Sequence, residues 1–196
     1  MNAKRKGDWI QTYTKKLFWP FDPRPTEIDI LDIAHSLSNL CRFGGHCNTF
    51  YSVAEHSVRA SHLVSDDVAL WALLHDASEA YLGDVVRPIK HQARFLKFYG
   101  PIEQAVMLAI AAKFWLGWPE PGEVAWADGV MLCTEQRDLM RSPPRDWVRK
   151  AGIEPLAEII VPATPRVAKE NFLQRFYSLT GGSDEYRKRG RRHGHN

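Results

Sequence analysis

The stretch from Leu74 to Asp84 concentrates ionisable side chains in an otherwise apolar sequence: His75, Asp76, Glu79 and Asp84. In a helix, His75 and Glu79 are four residues apart and Asp76 and Glu79 three apart, so each pair shares a face. An imidazole and a carboxylate on a buried helix are costly unless they are neutralised. A divalent cation neutralises them, since both groups are ligands for zinc and related ions. The stretch therefore predicts a metal site.

Two further residues could complete this site. His56 lies in a preceding helical stretch, and Asp128 lies between apolar residues in a later one. With His75 and Asp76 they would offer two nitrogen and two oxygen ligands and leave positions open for water and substrate. Each of these residues also has an alternative interpretation without a metal. Taken singly, His56 could be a residue on a helix face, Asp128 a helix cap and His75-Asp76 a chance dipeptide. A chance occurrence of all of them in apolar helices is less frequent, which favours the metal site.

The elements that must position these residues are predicted to be helices. Apolar residues recur at three- and four-residue spacing over 27–41, 52–64, 66–81, 101–115, 124–139 and 169–179. Thr26 and either Asp66 or Asp67 are predicted N-caps, and Gly83 is predicted to end the third helix. Residues 9–21 predict a short hairpin or extended lid. The fold class is therefore predicted as all-α with a short extended N-terminal segment.

Composition limits the function classes. The 196 residues suit one domain, which is predicted over residues 1–182. A mobile tail is predicted over 183–196. Pro143-Pro144 is predicted to break the chain between the last two helices. The net charge is +3, but residues 1–7 and 183–196 each carry +3, so the body carries −3. This distribution excludes a basic nucleic-acid-binding core. Three cysteines, no secretory signal and no apolar run of membrane-spanning length indicate a cytoplasmic protein.

The order His56, His75-Asp76, Asp128 resembles that of the HD-domain phosphohydrolases, a helical superfamily of metal-dependent phosphate hydrolases. The likeness is closer to the YfbR-like 5′-deoxynucleotidases and the related phage dATP triphosphohydrolases (DatZ-like). It spans about residues 28–140 and is carried by Arg42-Phe43, the segment Ser52–Ser57, the segment His75–Glu79 and Gly83-Asp84. The resemblance implies an HD-domain helical bundle.

Position by position, the resemblance implies that a divalent ion (zinc, cobalt, manganese or magnesium) is held by His56, His75, Asp76 and Asp128. Glu79 matches the acidic residue that positions or activates the attacking water, or protonates the leaving group. One helical turn beyond His75 is a suitable place for such a group, because a general acid or base must reach the reacting atoms.

The resemblance also implies substrate contacts. Asp84 matches an acid near the sugar, where related enzymes sense the missing 2′-hydroxyl. Arg42 matches a phosphate-contacting arginine, for which a guanidinium is well suited, and Lys90 matches a basic residue at the phosphate tail. Phe43 occupies the position of an aromatic ring that stacks on the base, with plain core packing as the alternative.

Two departures narrow the expected activity. Position 80 is alanine where (p)ppGpp hydrolases have an acid, and the Gly-Tyr-Pro signature of the cyclic-dinucleotide branch is missing. We expect metal-dependent hydrolysis of the 5′-phosphate ester of a purine deoxynucleoside triphosphate, dATP foremost, giving deoxynucleoside and triphosphate. A 5′-deoxynucleotidase acting on dNMPs is the alternative, and a non-catalytic nucleotide-binding protein is the more distant one. The expected partners are a deoxynucleotide and further copies of the chain, as a dimer or higher oligomer, with neither a membrane nor a nucleic acid.

Overall fold

The computed structural model of the chain describes residues 5–142 and 152–182. These residues are mostly helical, which confirms the all-α class. The predicted tail over 183–196 and the Pro143-Pro144 break lie outside them. The helices are α1 (Ile30–Asn39), α2 (Val53–Ser61), α3 (Asp66–Leu74), α4 (Glu79–Leu82), α5 (Arg87–Lys90), α6 (Ala93–Phe114), α7 (Gly122–Leu139) and α8 (Pro165–Leu179).

The N-terminal segment forms the predicted hairpin. Strand β1 (Ile10–Gln11) pairs antiparallel with β2 (Leu17–Phe18). Phe18 is fully buried and its ring stacks on Tyr81, with ring centroids 4.0 Å apart. The Asp32 carboxylate of α1 accepts hydrogen bonds from the backbone N–H and the hydroxyl of Thr14, at 2.6 and 2.8 Å. The hairpin is therefore fastened to the helical body.

Helix α1 begins at a different cap from the predicted one. Thr26 lies in a 3-10 turn over Pro25–Glu27, and Asp29 is the N-cap, its carboxylate accepting from the Leu31 N–H at 3.0 Å. The prediction of Thr26 is wrong because Pro25 starts a separate short turn ahead of the helix. From this cap onwards, α1 packs against α2 and α8.

The third predicted helix, 66–81, is divided in the structure. Helix α3 ends at Leu74, and the chain passes through four residues of tighter turn before α4 begins at Glu79. The backbone bonds here run from residue i to i−3, as from Ala77 N–H to the Leu74 carbonyl. Gly83 ends α4 with a φ of 84°, as predicted. The N-cap of α3 is Ser65, not Asp66 or Asp67, which lie in its first turn.

The remaining helices are longer than the pattern predicts or were not predicted. Helix α6 begins at Ala93 rather than at residue 101 and contains Pro101, and the Gln92 side chain caps its first turn. Helix α8 begins at Pro165, behind the N-cap Thr164. Helix α5 was not predicted, because four residues are too few for a periodic pattern.

The core joins these helices around α2. The larger buried cluster draws on α1, α2, α3, α6 and α8, and a smaller one joins α2 to α7. Helix α2 packs against α3 and α7. This arrangement places His56 of α2 between the end of α3 and the middle of α7. Across the described ranges, no helix combines the length and the apolar character that a membrane crossing requires.

Candidate metal centre

Three of the four predicted ligands converge in the structure. One ligand atom from each of His56, His75 and Asp76 lies within 4.8 Å of the others. His56 Nε2 is 3.2 Å from His75 Nε2 and 3.7 Å from Asp76 Oδ2, and His75 Nε2 is 3.2 Å from the same oxygen. His56 is fully buried and the other two are partly exposed. This cluster could hold a metal ion.

The fourth predicted ligand lies at the edge of the cluster. Asp128 Oδ1 is 3.5 Å from His56 Nε2, while Oδ2 accepts a hydrogen bond from Arg87 Nη2 at 2.5 Å. One oxygen therefore faces the cluster and the other faces a cationic side chain. Burial raises the pKa of Asp128, but His56 and His75 outweigh it and hold that pKa below its usual range.

The hydrogen bonds behind the two histidines fix which nitrogen faces the cluster. His56 Nδ1 lies 2.6 Å from Glu135 Oε1, and His75 Nδ1 lies 2.7 Å from the Ala72 carbonyl oxygen. A carboxylate and a carbonyl only accept, so both Nδ1 atoms donate and the Nε2 atoms are left to face each other. Two Nε2 lone pairs 3.2 Å apart repel unless a positive charge lies between them.

The carboxylates around His75 favour such a positive charge. Burial lowers the pKa of His75, but Asp76 and Asp128 raise it to about 10. The same interactions act in the opposite direction on Asp76. Burial raises the pKa of Asp76, but His75, His56 and Arg42 hold that pKa far below its usual range. A divalent ion satisfies the same atoms in place of a proton. The donor set, two imidazole nitrogens and a carboxylate oxygen, fits such an ion.

Sequence reasoning missed Glu135, which is central to the site. Its carboxylate is fully buried and accepts from His56 Nδ1 and, at 3.1 Å, from Arg42 Nε. Burial raises the pKa of Glu135, but Arg42 and His56 lower it below its usual range. The available signal was a glutamate two helical turns after Asp128, on the apolar face of α7.

Arg42 enters the site from a 3-10 turn over Arg42–Gly45. Its guanidinium lies 3.3 Å from Asp76 Oδ2 and 3.1 Å from Glu135 Oε2, so the predicted phosphate contact is engaged with carboxylates. Burial lowers its pKa, but Glu135, Asp76 and Asp128 raise it well above its usual range. Phe43 is half-buried, and the Arg42 guanidinium lies 5.5 Å from its ring centroid. The Phe43 ring therefore packs on the arginine and not within the core.

Glu79 and Asp84 lie beside the cluster with their ionisation disfavoured. Glu79 is buried, and its Oε2 atom has no hydrogen-bond partner among the described residues. Burial, then the charges of Asp76 and Asp84, raise the pKa of Glu79 well above its usual range. Burial also raises the pKa of Asp84. Burial and the neighbouring carboxylates thus favour the protonated form of Glu79 next to the candidate metal ligands.

A cavity of about 260 Å³ opens from the cluster towards α6. Its lining includes both cluster residues of the α3–α4 turn, His75 and Asp76, together with Lys90, Glu103 and Glu120. Lys90 Nζ forms a salt bridge with Glu103 Oε1 at 2.7 Å. Burial lowers the pKa of Lys90, but Glu103 raises it above its usual range. The predicted phosphate-tail lysine therefore lies at this cavity, paired with an acid.

The charges around the centre are unbalanced. Among the described residues it gathers seven carboxyl groups and three cationic side chains, so formal charges with both histidines neutral and every carboxyl ionised sum to four negative charges. Such an excess attracts cations. The carboxyl groups are Asp76, Glu79, Asp84, Glu103, Glu120, Asp128 and Glu135, and the cations are Arg42, Arg87 and Lys90.

Two proteins of similar sequence bear the name of uncharacterized proteins. The chain is 40% identical over 174 residues to the uncharacterized protein YfdR of Escherichia coli (strain K12), covering 88% of this chain and 96% of that protein. It is 38% identical over 120 residues to the uncharacterized protein RCAP_rcc00048 of Rhodobacter capsulatus, covering 57% of this chain and 60% of that protein. No family model matches the chain.

Proposed function

The chain belongs to the family of the Escherichia coli protein YfdR, and we propose that it is a metal-dependent phosphohydrolase of the HD-domain type. It cleaves the 5′-phosphate ester of 2′-deoxynucleotides. The preferred substrate is a purine deoxynucleoside triphosphate, dATP foremost, and the products are deoxynucleoside and triphosphate. The observation that carries this proposal is the pair of facing Nε2 atoms of His56 and His75 beside Asp76, with the buried carboxyl group of Glu79 next to them.

The metal would be held by His56, His75 and Asp76, with Asp128 as the fourth ligand. Zinc, cobalt, manganese and magnesium are the candidates. The bound ion supplies Lewis-acid chemistry for phosphate-ester hydrolysis. The chain supplies ligands from three helical elements, so the site is preorganised by the packing of α2 against α3 and α7.

Glu79 is proposed to act on the leaving group. Its carboxyl group is buried, its pKa is raised well above the usual range by burial and by Asp76 and Asp84, and it has an oxygen without a partner among the described residues. A protonated carboxyl at this position can donate its proton to the 5′-oxygen as the ester bond breaks. A water oxygen would bond to the phosphorus as the 5′-oxygen leaves, and the proton lost by that water would return to the Glu79 carboxylate.

The substrate would be oriented by side chains at the rim. Arg42 and Lys90 are proposed to hold phosphate oxygens, Asp84 to contact the sugar and Phe43 to stack on the base. Both cations are paired with carboxylates in the structure, Arg42 with Asp76 and Lys90 with Glu103. Phosphate oxygens would join these networks, because each cation has further N–H donors.

A panel of substrates tests the activity. The protein is incubated with each dNMP, each dNTP and ATP in Mn²⁺, Co²⁺, Zn²⁺ or Mg²⁺, and the products are separated by ion-exchange chromatography. Triphosphate released from dATP supports the proposal. Phosphate released only from dNMPs supports the alternative 5′-deoxynucleotidase. Binding without any product supports the non-catalytic alternative and contradicts both enzyme assignments.

Removing one ligand tests the metal assignment. Asp76→Ala is expected to abolish metal binding and hydrolysis together, because it removes the oxygen that approaches both histidines. Metal content is measured by equilibrium dialysis and plasma mass spectrometry, and activity by product release. Asp67→Ala, which changes an exposed aspartate in the first turn of α3, is the matched control and should retain both. An Asp76→Ala protein that keeps its metal shows that the assignment is wrong.

A further inference from the structure

We propose that Arg87 binds the outer phosphates of the substrate and so makes the site selective for a polyphosphate chain over a monophosphate. This inference rests on the proposed function, because it assigns a role within the same site. Arg87 is the first residue of α5, and its guanidinium contacts Asp128 at the edge of the metal cluster.

Arg87 differs from the other two cations at the site in its surroundings. The Arg42 side chain is 11% exposed and contacts Asp76 and Glu135 in the interior. The Lys90 side chain is 27% exposed and is paired with Glu103. The Arg87 side chain is 47% exposed. It can therefore reorient towards a ligand without disturbing packed neighbours.

The contact of Arg87 is with a residue that faces the cluster. Asp128 presents Oδ1 to His56 Nε2 at 3.5 Å and Oδ2 to Arg87. A cation bound at the cluster would draw on the charge of the same carboxylate, which weakens its attraction for Arg87. Occupation of the cluster would therefore favour release of the guanidinium at the solvent-exposed edge of the site.

The charge balance explains why a longer phosphate chain needs this residue. The centre carries an excess of carboxyl groups, so a single divalent ion does not offset both those groups and a triphosphate. In the proposed function the phosphate next to the sugar would lie at the metal ligands. Further phosphates that extend towards solvent would meet the exposed Arg87 guanidinium, which can offer bidentate hydrogen bonds to their oxygens.

Binding of inorganic anions tests the role of Arg87 independently of turnover. Isothermal titration calorimetry with Mn²⁺-loaded protein compares inorganic tripolyphosphate with inorganic phosphate, in the wild type, Arg87→Ala and Arg87→Lys. We expect Arg87→Ala to weaken tripolyphosphate binding by about ten- to a hundredfold, the loss of one or two charge-assisted hydrogen bonds. Phosphate binding should change less than twofold, and Arg87→Lys should recover part of the loss.

Two controls separate this effect from damage to the metal site. Arg94→Ala changes an exposed arginine at the start of α6 and should bind tripolyphosphate as the wild type does. The affinity of Arg87→Ala for Mn²⁺ alone should be equal to or above that of the wild type, because Asp128 loses a competing partner. Equal losses for phosphate and tripolyphosphate, or no loss for either, would overturn the proposal.

Turnover then separates this inference from the proposed function. A wild type that binds tripolyphosphate through Arg87 but hydrolyses no deoxynucleotide contradicts the proposed function and leaves the binding role standing. A wild type that releases triphosphate from dATP, with an Arg87→Ala variant of unchanged KM, supports the function and contradicts the role of Arg87.

Discussion

Glu135 determines how two functional side chains are presented. One carboxylate oxygen accepts from His56 Nδ1 and the other from Arg42 Nε. The first bond fixes the tautomer of His56 and directs its Nε2 atom at the cluster. The second orients the guanidinium that lies against Asp76. A single buried side chain of α7 therefore aligns a candidate ligand from α2 with an arginine from the turn that precedes it.

Replacing this carboxylate should weaken metal binding without removing a ligand. We expect Glu135→Gln to lower metal affinity by about 10- to 100-fold, the range typical of such supporting residues. The amide can still accept from His56 but carries no charge to orient the imidazole. Affinity is measured by competition with a metal indicator, and Glu123→Gln, an exposed glutamate in the first turn of α7, is the matched control.

The result that contradicts this role is an unchanged metal affinity in Glu135→Gln together with a lowered melting temperature. Such an outcome would make Glu135 a partner of Arg42 alone. Comparison with Glu135→Asp, which keeps the charge but shortens the side chain, separates the loss of charge from the loss of reach.

At this scale, residue type and spacing were enough to predict His56, His75 and Asp76 as one cluster, which the structure confirms as a possible metal site. They were not enough to predict Glu135 or its bonds. Glu135 lies 79 residues from His56 and 93 from Arg42 along the chain, so no local pattern links them. The contacts of Glu135 with His56 and Arg42 arise from the packing of α7 against the preceding elements, which cannot be inferred from a single sequence.

At the scale of elements, the divided helix between Leu74 and Glu79 matters most. Apolar spacing continues through both halves, so the sequence predicted one helix over 66–81. The structure tightens the chain at the candidate metal ligands His75 and Asp76, with His75 Nδ1 donating a hydrogen bond to the Ala72 carbonyl. All-α class and the positions of most helices followed from periodicity. The division between α3 and α4 did not follow from periodicity, because the apolar spacing is the same whether or not the helix is interrupted at His75 and Asp76.

A second feature at this scale is the segment 156–160 ahead of α8, which is bonded to side chains at the end of α7. The Asp138 carboxylate accepts from the Ile160 N–H at 2.8 Å and from Arg137 Nε at 2.6 Å. Arg137 in turn donates to the carbonyls of Leu156 and Glu158. These bonds hold the segment against the smaller core cluster, to which Ile160 belongs.

Asp138→Asn should therefore destabilise the fold in a pH-dependent way. The bond from Arg137 holds the pKa of Asp138 below its usual range, against the opposing effect of burial. The ionised carboxylate thus stabilises the folded state fully above the pKa of about 3.9 of an unfolded aspartate, and this is lost as pH falls through the lower folded pKa. We expect a loss of about 1–2 kcal/mol at pH 7 that shrinks below pH 4.

Urea unfolding of the wild type and Asp138→Asn between pH 3 and pH 8 measures this difference. Asp67→Asn, at an exposed position of α3, is the control and should show a small difference that does not follow the same curve. A constant difference between wild type and Asp138→Asn across this range would show that the charge of Asp138 contributes nothing.

At the scale of the whole molecule, the outer face of α6 carries an apolar row. Its members recur at alternating three- and four-residue spacing, the spacing by which two helices pack side by side. The row contains no ionisable side chain. Burying an exposed apolar face of this kind against the same face of a second copy removes apolar surface from water, which favours association. The members of the row are Phe98, Pro101, Ala105, Leu108 and Ala112, and the exposed Trp115 follows directly after the helix.

We expect the protein to self-associate through this row. Leu108→Lys places a charge in the middle of the row and should shift a dimer or higher oligomer towards the monomer, with the helical content unchanged. Analytical ultracentrifugation over a range of concentrations measures the shift. Leu17→Lys, which changes an exposed leucine of the hairpin, should leave the association constant as it is. A wild type that sediments as a monomer at all concentrations contradicts the expectation.

The packing of α8 against α1 and α2 has a consequence for the order in which the chain can fold during synthesis. Arg175 of α8 donates to the Ser61 carbonyl at the end of α2, 114 residues earlier. All the proposed metal ligands leave the ribosome before α8 does. A nascent chain of that length exposes the apolar faces that α8 later covers. We therefore expect completion of the native core to wait until α8 has left the ribosome and is free to dock.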